Sequence, residues 1–417
     1  MFLALCMVAL HSCGQWEPEE TSHKTVIVYM AGDNDLYPAM AANLSDMAAG
    51  MDPVISSYNN VVAFVDRPQY NPVLLNIRDN RIDTVHVWPQ QVHSSSSRVL
   101  AEVISMAASM FPAEEYTLVF SGHGTGWLPA KSLKSLDRFL FPQTVIDIEQ
   151  ESGAPAFAHR TPFAGMDDEE LPAEMAGRIM GVTKAAFAEI LVDNTASWMD
   201  VDRMTAAIPD GMFDCIVFDA CLMGGVEFAY ALRNKADQIV VSSVEIMKQG
   251  FPYRTAIGDI VRSDYASVCR DFYDFYDTKT GMERTAGIAL IDLKKLDKLA
   301  SAFSRVVNNA TVRVDDVFSD RNLQHFDRFV HHAMFDLADV AERLKPDEES
   351  LSVFRQALSE CVSSCYNTGY VCSELALNRY CGLSCYLPVA QYQGLLNDSY
   401  ARTDWNQAVG FYKTYSE

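Results

Sequence analysis

Two residues that can carry out nucleophilic chemistry follow two apolar runs of this sequence. His123 lies in LVFSGHG and Cys221 lies in IVFDACLMGG, so each residue has glycines beside it or shortly after it. A thiolate is a strong nucleophile, and a nearby imidazole can lower the pKa of the thiol or carry its proton. The same imidazole can then protonate an amine leaving group, which an amide substrate requires. Together the two motifs predict a Cys-His pair that hydrolyses amides.

The neighbours of this pair fit the same chemistry. Small residues let a substrate backbone approach, and the backbone N–H groups of Gly124 and Cys221 would hold a developing oxyanion. Taken singly, each residue has an ordinary explanation, since a cysteine after an apolar strand is usually part of the core and a histidine between glycines is often a turn residue. Cys215, in the same apolar run as Cys221, is predicted to be such a core thiol.

Strands that alternate with helices would position the pair. Apolar runs at 24–32, 59–68, 114–121, 213–219, 237–245 and 285–293 read as strands, and amphipathic stretches between them read as helices. This alternation predicts an α/β fold with a mostly parallel central sheet that is covered on both faces. Because chemistry collects at the carboxyl ends of parallel strands, His123 and Cys221 would face one crevice if their strands are neighbours.

Two finer predictions concern the first part of the chain. VLLNIRD and RIDTVHVW read as a hairpin that turns around Asn80. Asp33 or Asp35 stands just before a helical stretch that ends near Met51, so one of these carboxylates is predicted to be the N-cap of that helix.

Composition narrows the function classes. The chain has 417 residues, and its 49% hydrophobic and 11% aromatic content is enough for a large core. A net charge of −22 argues against nucleic-acid binding, which needs a basic face, and an acidic surface attracts basic partners. Five of the ten cysteines crowd the C-terminal end without a zinc-like spacing, so buried thiols or one or two disulfides are expected there, and no metal site is predicted.

The first thirteen residues, MFLALCMVALHSC, favour export. The apolar run is too short to span a bilayer, suits a signal peptide, and ends in a lipobox-like Leu-His-Ser-Cys. We therefore expect residues 1–13 to be a signal peptide with lipidation at Cys13, and 14–23 to be a polar tether. The protein would be an outer-membrane lipoprotein, periplasmic or on the cell surface, that meets the membrane only through its lipid anchor. An ordinary secretory signal, or the start of a core strand, is the alternative.

The remaining chain divides into two parts by pattern. Residues 24–320 are predicted to form the core, and 321–417 a helical and short-strand extension packed on it. Within the core, residues 128–181 contain prolines and acidic clusters with little periodicity. An irregular stretch of this length inside a compact domain is usually functional or disordered.

Four stretches of the sequence, VIVYMAGDNDL, SGHGTGW, FDACLMGGVEFAYALR and SSVEIMKQGFPY, resemble the clostripain family of cysteine peptidases, relatives of caspases and gingipains. The stretches occur in the family's order and cover most of residues 24–255. The resemblance implies a caspase-like α/β/α sandwich with His123 and Cys221 as the catalytic dyad. It also implies cleavage after Arg or, less readily, Lys, with Asp219 in the floor of the S1 pocket, where a carboxylate pairs with a guanidinium. The alternative is that Asp219 caps the helix that starts near Gly224.

The resemblance extends to activation and departs at one position. Several family members have Gly-Trp-Asp-Tyr with a second acidic S1 residue where this chain has GFPY, with Pro252. The family's long loop is often cut after a basic residue, which implies a zymogen activated by cleavage within 128–184. The candidate sites are Lys131, Lys134, Arg138, Arg160, Arg178 and Lys184. No cofactor is required. Calcium binding at the acidic run 167–170 is an alternative to a solvated acidic loop.

Three functions therefore compete. The first is an exported cysteine endopeptidase that acts on peptides and proteins with basic residues. The second is a nucleotide-binding enzyme, because GHGTG after a strand is a weak dinucleotide fingerprint that would have to open a helix. The third is a catalytically inactive surface binding protein on a peptidase scaffold.

Overall fold

A nine-stranded sheet forms the centre of the computed structural model, which describes residues 22–129, 170–172, 188–190, 195–329, 332–394 and 396–412. The strands of this sheet, in chain order, are β1 (Ser22–Met30), β2 (Asn59–Arg67), β3 (Tyr70–Arg78), β4 (Arg81–Val87), β5 (Ala113–Ser121), β9 (Phe213–Asp219), β10 (Ala236–Val241), β11 (Gly287–Asp292) and β13 (Val362–Asn367). Smaller sheets contain β6 (Glu170–Pro172), β7 (Ala188–Ile190), β8 (Thr195–Trp198), β12 (Phe335–Asp336), β14 (Tyr370–Val371), β15 (Leu375–Ala376) and β16 (Ser384–Cys385).

The five central strands are parallel, in the order β2-β1-β5-β9-β10. Antiparallel strands flank them, with β3 and β4 on one side and β11 and β13 on the other. The α/β fold with a mostly parallel centre is thus confirmed. The hairpin is confirmed as β3 and β4, with Asp79 and Asn80 at its turn in the left-handed conformation that a tight hairpin requires.

Helices cover both faces of the sheet. They are α1 (Tyr37–Gly50), α2 (Pro53–Tyr58), α3 (Ser97–Met110), α4 (Val201–Ala207), α5 (Val226–Ala231), α6 (Tyr253–Val261), α7 (Tyr265–Asp277), α8 (Leu296–Asn308), α9 (Val314–Phe318), α10 (Leu337–Arg343), α11 (Glu348–Cys361), α12 (Asn397–Tyr400) and α13 (Asp404–Val409). Short 3₁₀ turns lie at Gly281–Glu283, Leu293–Lys295 and Ala390–Tyr392. Helix α8 shows why these segments are helical, because its buried residues recur three or four positions apart and form one apolar stripe.

The two faces can be assigned from consecutive residues of β9. Phe218 packs edge-on against Phe228 of α5, and the next residue, Asp219, accepts a hydrogen bond from Tyr253 of α6. Because successive side chains of a strand point to opposite faces, α5 and α6 lie on opposite sides of the sheet. Helices α1 and α7 pack with α6, whereas α4 and α13 pack with α5. The sheet is therefore the middle layer of an α/β/α sandwich.

The C-terminal part of the chain contributes directly to this sandwich. Strand β13 is an edge strand of the central sheet, and helix α11, which precedes it, packs on α8. The backbone N–H of Ser384 donates to the carbonyl of Gly224, so a C-terminal segment also contacts the turn after Cys221. The eight cysteines in the described residues are all free thiols. Among the helices that the structure describes, none has the length and apolar character needed to cross a membrane.

Candidate active site

Strand pairing brings the two predicted catalytic residues to the same edge of the sheet. Strands β5 and β9 are parallel neighbours, with Ser121 directly opposite Asp219. His123 and Cys221 each stand two residues beyond this pair. The backbone N–H of Gly122 donates to the carbonyl of Asp219 at 3.3 Å, which holds together the loops that follow β5 and β9. The sequence alone could not establish this adjacency, since nothing in the two motifs states which strands pair.

Glycine is required where the loops that follow β5 and β9 contact their neighbours. A Cβ atom added to Gly124 would lie 2.4 Å from the carbonyl oxygen of Cys221, closer than any real contact. A Cβ on Gly224 would lie 2.1 Å from Oγ of Ser243, in the segment after β10. The glycines beside the histidine and the cysteine therefore let three loops pack against one another at the carboxyl edge.

The loop after β10 holds the cysteine sulfur. Ile246 donates its backbone N–H to the Sγ of Cys221 at 3.0 Å, and the thiol lies 3.5 Å from the carbonyl oxygen of the same residue. The next residue, Leu222, has φ of +61°, a left-handed conformation that costs free energy for a bulky side chain. Its N–H donates to the carbonyl of Val244 at 3.0 Å. Backbone bonds to one loop thus fix both the sulfur and the strained turn that presents it.

Asp35 engages the histidine, a role that the sequence did not reveal. Its Oδ1 accepts a hydrogen bond from Nε2 of His123 at 2.9 Å, and its Oδ2 pairs with Nζ of Lys248 at 2.5 Å. Burial alone would raise the pKa of Asp35, but its hydrogen bonds and charge interactions with His123 and Lys248 hold the pKa below its ordinary value. The carboxylate therefore stays ionised and fixes one ring nitrogen of the imidazole.

The predicted N-cap role of Asp33 or Asp35 is wrong. The N-cap of α1 is Leu36, and no side chain caps that helix. Burial instead raises the pKa of Asp33 to about 6. A signal for Asp35 was present, because it follows the carboxyl end of β1, and β1 pairs with β5. Asp35 therefore shares with His123 and Cys221 a place just beyond the carboxyl end of a parallel strand, where chemistry collects.

Asp219 lies at the end of β9 and is fully buried. Its Oδ2 accepts hydrogen bonds from the hydroxyls of Ser121 and Tyr253, both at 3.1 Å. Helix α5 has Gly225 at its N-cap and no capping side chain, so the alternative role of Asp219 as a helix cap is wrong. Burial of Tyr253 raises the pKa of its hydroxyl well above the ordinary value, and the negative charge of Asp219 raises it further. Tyr253 therefore remains a neutral donor to this carboxylate.

Several predictions lie outside the described residues. They concern Cys13 and residues 1–21, almost all of the loop 128–181, the six basic cleavage candidates and residues 167–169 of the acidic run. The glycine-rich turn at 122–126 leads to no helix within the described residues up to 129. The dinucleotide-binding interpretation, which requires a helix at that point, is therefore wrong.

A comparison with known families agrees with this geometry. A sequence model described as the clostripain family matches residues 28–140 and 190–380, which is more than half of the chain. The chain belongs to the clostripain family. Clostripain from Hathewaya histolytica is 23% identical over an alignment of 257 residues that covers 55% of this chain and 40% of that protein. The chain thus matches less than half the length of this curated relative.

Solved structures give the same result for the fold. An inactive zymogen C11 protease from Parabacteroides distasonis superposes with a TM-score of 0.72 and 25% identity, covering 94% of this chain and 99% of that one. A secreted C11 cysteine protease from Bacteroides thetaiotaomicron gives a TM-score of 0.74 at 21% identity, covering 94% and 100%. The caspase-like sandwich expected of a clostripain-family member is thereby confirmed.

Proposed function

We propose that this protein is an exported cysteine endopeptidase that hydrolyses peptide bonds after Arg or, less readily, Lys, with His123 and Cys221 as its catalytic dyad. The observation that carries the proposal is the pairing of β5 with β9. It places an imidazole and a thiol at equivalent positions of adjacent strand ends, with Gly124 in contact with the backbone of Cys221. Membership of the clostripain family supports the same reaction.

In the proposed mechanism His123 takes the thiol proton of Cys221, and the resulting thiolate attacks the scissile carbonyl carbon and forms a tetrahedral intermediate. The backbone N–H groups of Gly124 and Cys221 bind the oxyanion, and the Gly124 N–H donates to no acceptor among the described residues. His123 then protonates the leaving amine as the C–N bond breaks, and afterwards takes a proton from the water that hydrolyses the thioester. Asp35 fixes Nε2, so Nδ1 is the nitrogen assigned to proton transfer.

Substrate preference is assigned to Asp219. Asp219 is a buried carboxylate at the end of β9, two residues before Cys221, and a carboxylate is the group that pairs with a guanidinium or ammonium side chain. Pro252 replaces the second acidic residue of several family members, and Tyr253 beside it supplies a neutral hydroxyl. We therefore propose that recognition of the basic side chain depends on Asp219 alone at this end of the pocket.

We further propose that the protein is made as a zymogen and activated by cleavage within 128–184. The side chains of His123, Asp219 and Cys221 are all fully buried, so this form of the chain is closed to a peptide. A solved relative at 25% identity is described as an inactive zymogen. Export, with Cys13 as the site of a lipid anchor, rests on the first thirteen residues and agrees with a fold neighbour that is described as secreted.

Peptide amides with Arg, Lys or Gln before the scissile bond test the reaction directly. Protein cleaved between Leu128 and Lys184, as verified by mass spectrometry, should release the amine from the Arg and Lys peptides, and Cys221→Ala should abolish release. Binding of the Arg peptide by the cleaved wild-type protein without turnover would instead favour the inactive surface binding protein.

A matched pair of variants tests the assignment of Asp219. Asp219→Asn keeps an oxygen for Ser121 and Tyr253 but removes the charge, so kcat/KM should fall about a hundredfold or more for Arg peptides and much less for Gln peptides. The control is Asp214→Asn, at the other end of β9, which should not change the ratio of kcat/KM for Arg peptides to kcat/KM for Gln peptides. Equal losses on both peptides with Asp219→Asn would assign Asp219 a structural role.

A further inference from the structure

Two histidines near the C-terminal end of the chain share a support that the peptidase proposal does not use. His325 places Nδ1 at 2.8 Å from the backbone carbonyl of Asp327, and His332 places Nδ1 at 3.0 Å from Oδ1 of the same residue. Asp327 is fully buried, and its Oδ2 accepts from the backbone N–H groups of Ala333 and Met334 at 2.9 and 2.8 Å. One buried aspartate therefore holds both imidazoles and the backbone of residues 333–334 in place.

These contacts determine the protonation of both rings. A backbone carbonyl can only accept a hydrogen bond, and an ionised carboxylate also only accepts. Nδ1 of His325 and Nδ1 of His332 must therefore both carry hydrogen, and in the neutral ring Nε2 then presents a lone pair. Neither Nε2 has a hydrogen-bond partner among the described residues. This is the state in which histidine binds a metal ion, with the other ring nitrogen held by a carboxylate or carbonyl.

The two rings lie close enough to share one ion. Their centroids are 3.4 Å apart with planes 16° from parallel, and one ligand atom from each of His325, Asp327 and His332 lies within 4.8 Å of the others. The His332 side chain is 34% exposed, so an ion can enter from solvent.

We propose that His325 and His332 bind a divalent borderline transition metal, Zn²⁺ in the first instance, through their Nε2 atoms. Asp327 supports both ligands from behind, and water completes a tetrahedral shell around the ion. Nitrogen ligands favour Zn²⁺ over the hard cations Ca²⁺ and Mg²⁺, which take oxygen ligands. In the stack the two lone pairs lie in nearly parallel planes, so binding requires the part-exposed ring of His332 to tilt toward the ion.

The site would fix a segment that contacts both catalytic loops. Arg328 forms a two-bond ion pair with Glu245 at 2.8 and 2.9 Å, and Glu245 precedes the Ile246 that donates to Cys221. On the other side, a Cβ added to Gly126 would lie 3.3 Å from Cε of Met334, so this methionine lies against the turn after His123. The binding proposal itself does not depend on the peptidase proposal.

Zinc titration of the full-length protein tests the site. The Cys221→Ala background removes the catalytic thiol as a competing ligand, and calorimetry should give one equivalent bound. His332→Asn and His325→Asn each place a side-chain N–H near Asp327 but remove Nε2, so each should weaken binding about tenfold or more. The control is His23→Asn, an exposed histidine paired with Glu114, which should leave the affinity unchanged. Equal affinity in all variants, or no binding at all, would overturn the proposal.

Cobalt substitution distinguishes imidazole from thiol ligation, because eight free cysteines lie in the described residues. Co²⁺ bound at the proposed site should give a tetrahedral d–d spectrum without intense sulfur-to-metal charge-transfer bands. The spectrum should be lost in His332→Asn. Strong charge-transfer bands that survive this substitution would show that the metal binds to cysteine, and would contradict the proposal.

Discussion

The two edges of the central sheet each hold a buried polar cluster, and only one of them has the features of an active site. At the amino edge, Lys24 of β1 is 1% exposed and pairs with Asp214 at the start of β9. Thr117 and Tyr265 also donate to Asp214, at 2.8 and 2.6 Å. Side chains of three strands, of one helix and of Ser263 in the turn before that helix satisfy this charge pair.

The carboxyl edge is built from the same three strands but differs in its backbone. Asp35, His123 and Cys221 all lie in turns beyond the strand ends, where Gly124 permits close approach and Leu222 adopts a strained conformation. Burial of charge is common to both edges, so burial does not identify the site. The difference is that the carboxyl edge presents its polar groups from glycine-lined turns, which is the arrangement that the proposed approach of a substrate backbone requires.

The largest effect expected at the amino edge is on stability alone. Lys24→Met should lower the free energy of unfolding by about 3 kcal/mol, because it leaves Asp214 without its cation in a largely buried place. The measurement is urea denaturation in the Cys221→Ala background. Lys235→Met removes a pair in which Asp210 is 74% exposed, and should cost less than about 1 kcal/mol. A fall in kcat/KM of folded, cleaved Lys24→Met protein would show that the two edges are coupled.

At the carboxyl edge a matching substitution should affect catalysis and not stability. Asp35→Asn should lower kcat about a hundredfold. The amide can present its N–H to Nε2 of His123, and without the negative charge of Asp35 it no longer stabilises the protonated imidazole. The measurement is kcat and KM on an Arg peptide, with KM expected to change little. Lys248→Met keeps the bond between Asp35 and His123 and should cost much less. Equal losses in the two variants would mean that the ion pair with Lys248, and not the histidine contact, is what matters.

Glu227 sharpens the comparison because it is a buried carboxyl group that forms no ion pair with a cation in the part of the chain that the structure describes. Its Oε1 accepts from the backbone N–H of Tyr386 at 2.8 Å, and Oε2 has no hydrogen-bond partner among the described residues. Burial raises its pKa from an ordinary 4.5 to about 7. Between these values the folded chain keeps a proton that the unfolded chain has lost, so the stabilising contribution is complete below about pH 4.5 and is lost as the pH rises through about 7.

Between pH 5.5 and 7.5 this group should therefore cost the protein about 2 kcal/mol of stability. Glu227→Gln, which resembles the protonated form, should remove that part of the pH dependence. Denaturation of both proteins at the two pH values, in the Cys221→Ala background, measures the difference. An identical slope in wild type and variant would show that Glu227 does not titrate in this range.

The sequence was sufficient for the elements whose cause is local. Apolar runs gave the parallel strands, and the hairpin at Asn80 followed from its turn residues. The C-terminal edge strand β13 was not predicted, because VSSCYN is neither strongly apolar nor clearly alternating, and its place depends on pairing with β11. Helix α6, next to Pro252, was not predicted from the sequence, although the residues that follow the GFPY motif have amphipathic spacing.

The residues of the candidate site likewise fall into those that local sequence identifies and those that only distant contacts identify. His123 and Cys221 could be proposed because each has a distinctive setting within a few residues. Asp35 and Ile246 were not assigned, since the contacts that define their roles span 88 and 25 positions of the chain. Asp35 looked like a helix cap because its local sequence is that of a cap. Only the parallel arrangement of β1 beside β5 reveals that its carboxylate lies against the imidazole.

Labelling of the cysteine by a substrate-like electrophile tests the central claim most directly. A peptidyl arginine chloromethyl ketone, added to protein cleaved within 128–184, should modify Cys221 alone, as shown by peptide mass spectrometry. The rate constant should fall about a hundredfold or more in His123→Ala. Modification of Cys221 at the wild-type rate in His123→Ala, or labelling of a different cysteine, would contradict the claim that this imidazole and this thiol work as a pair.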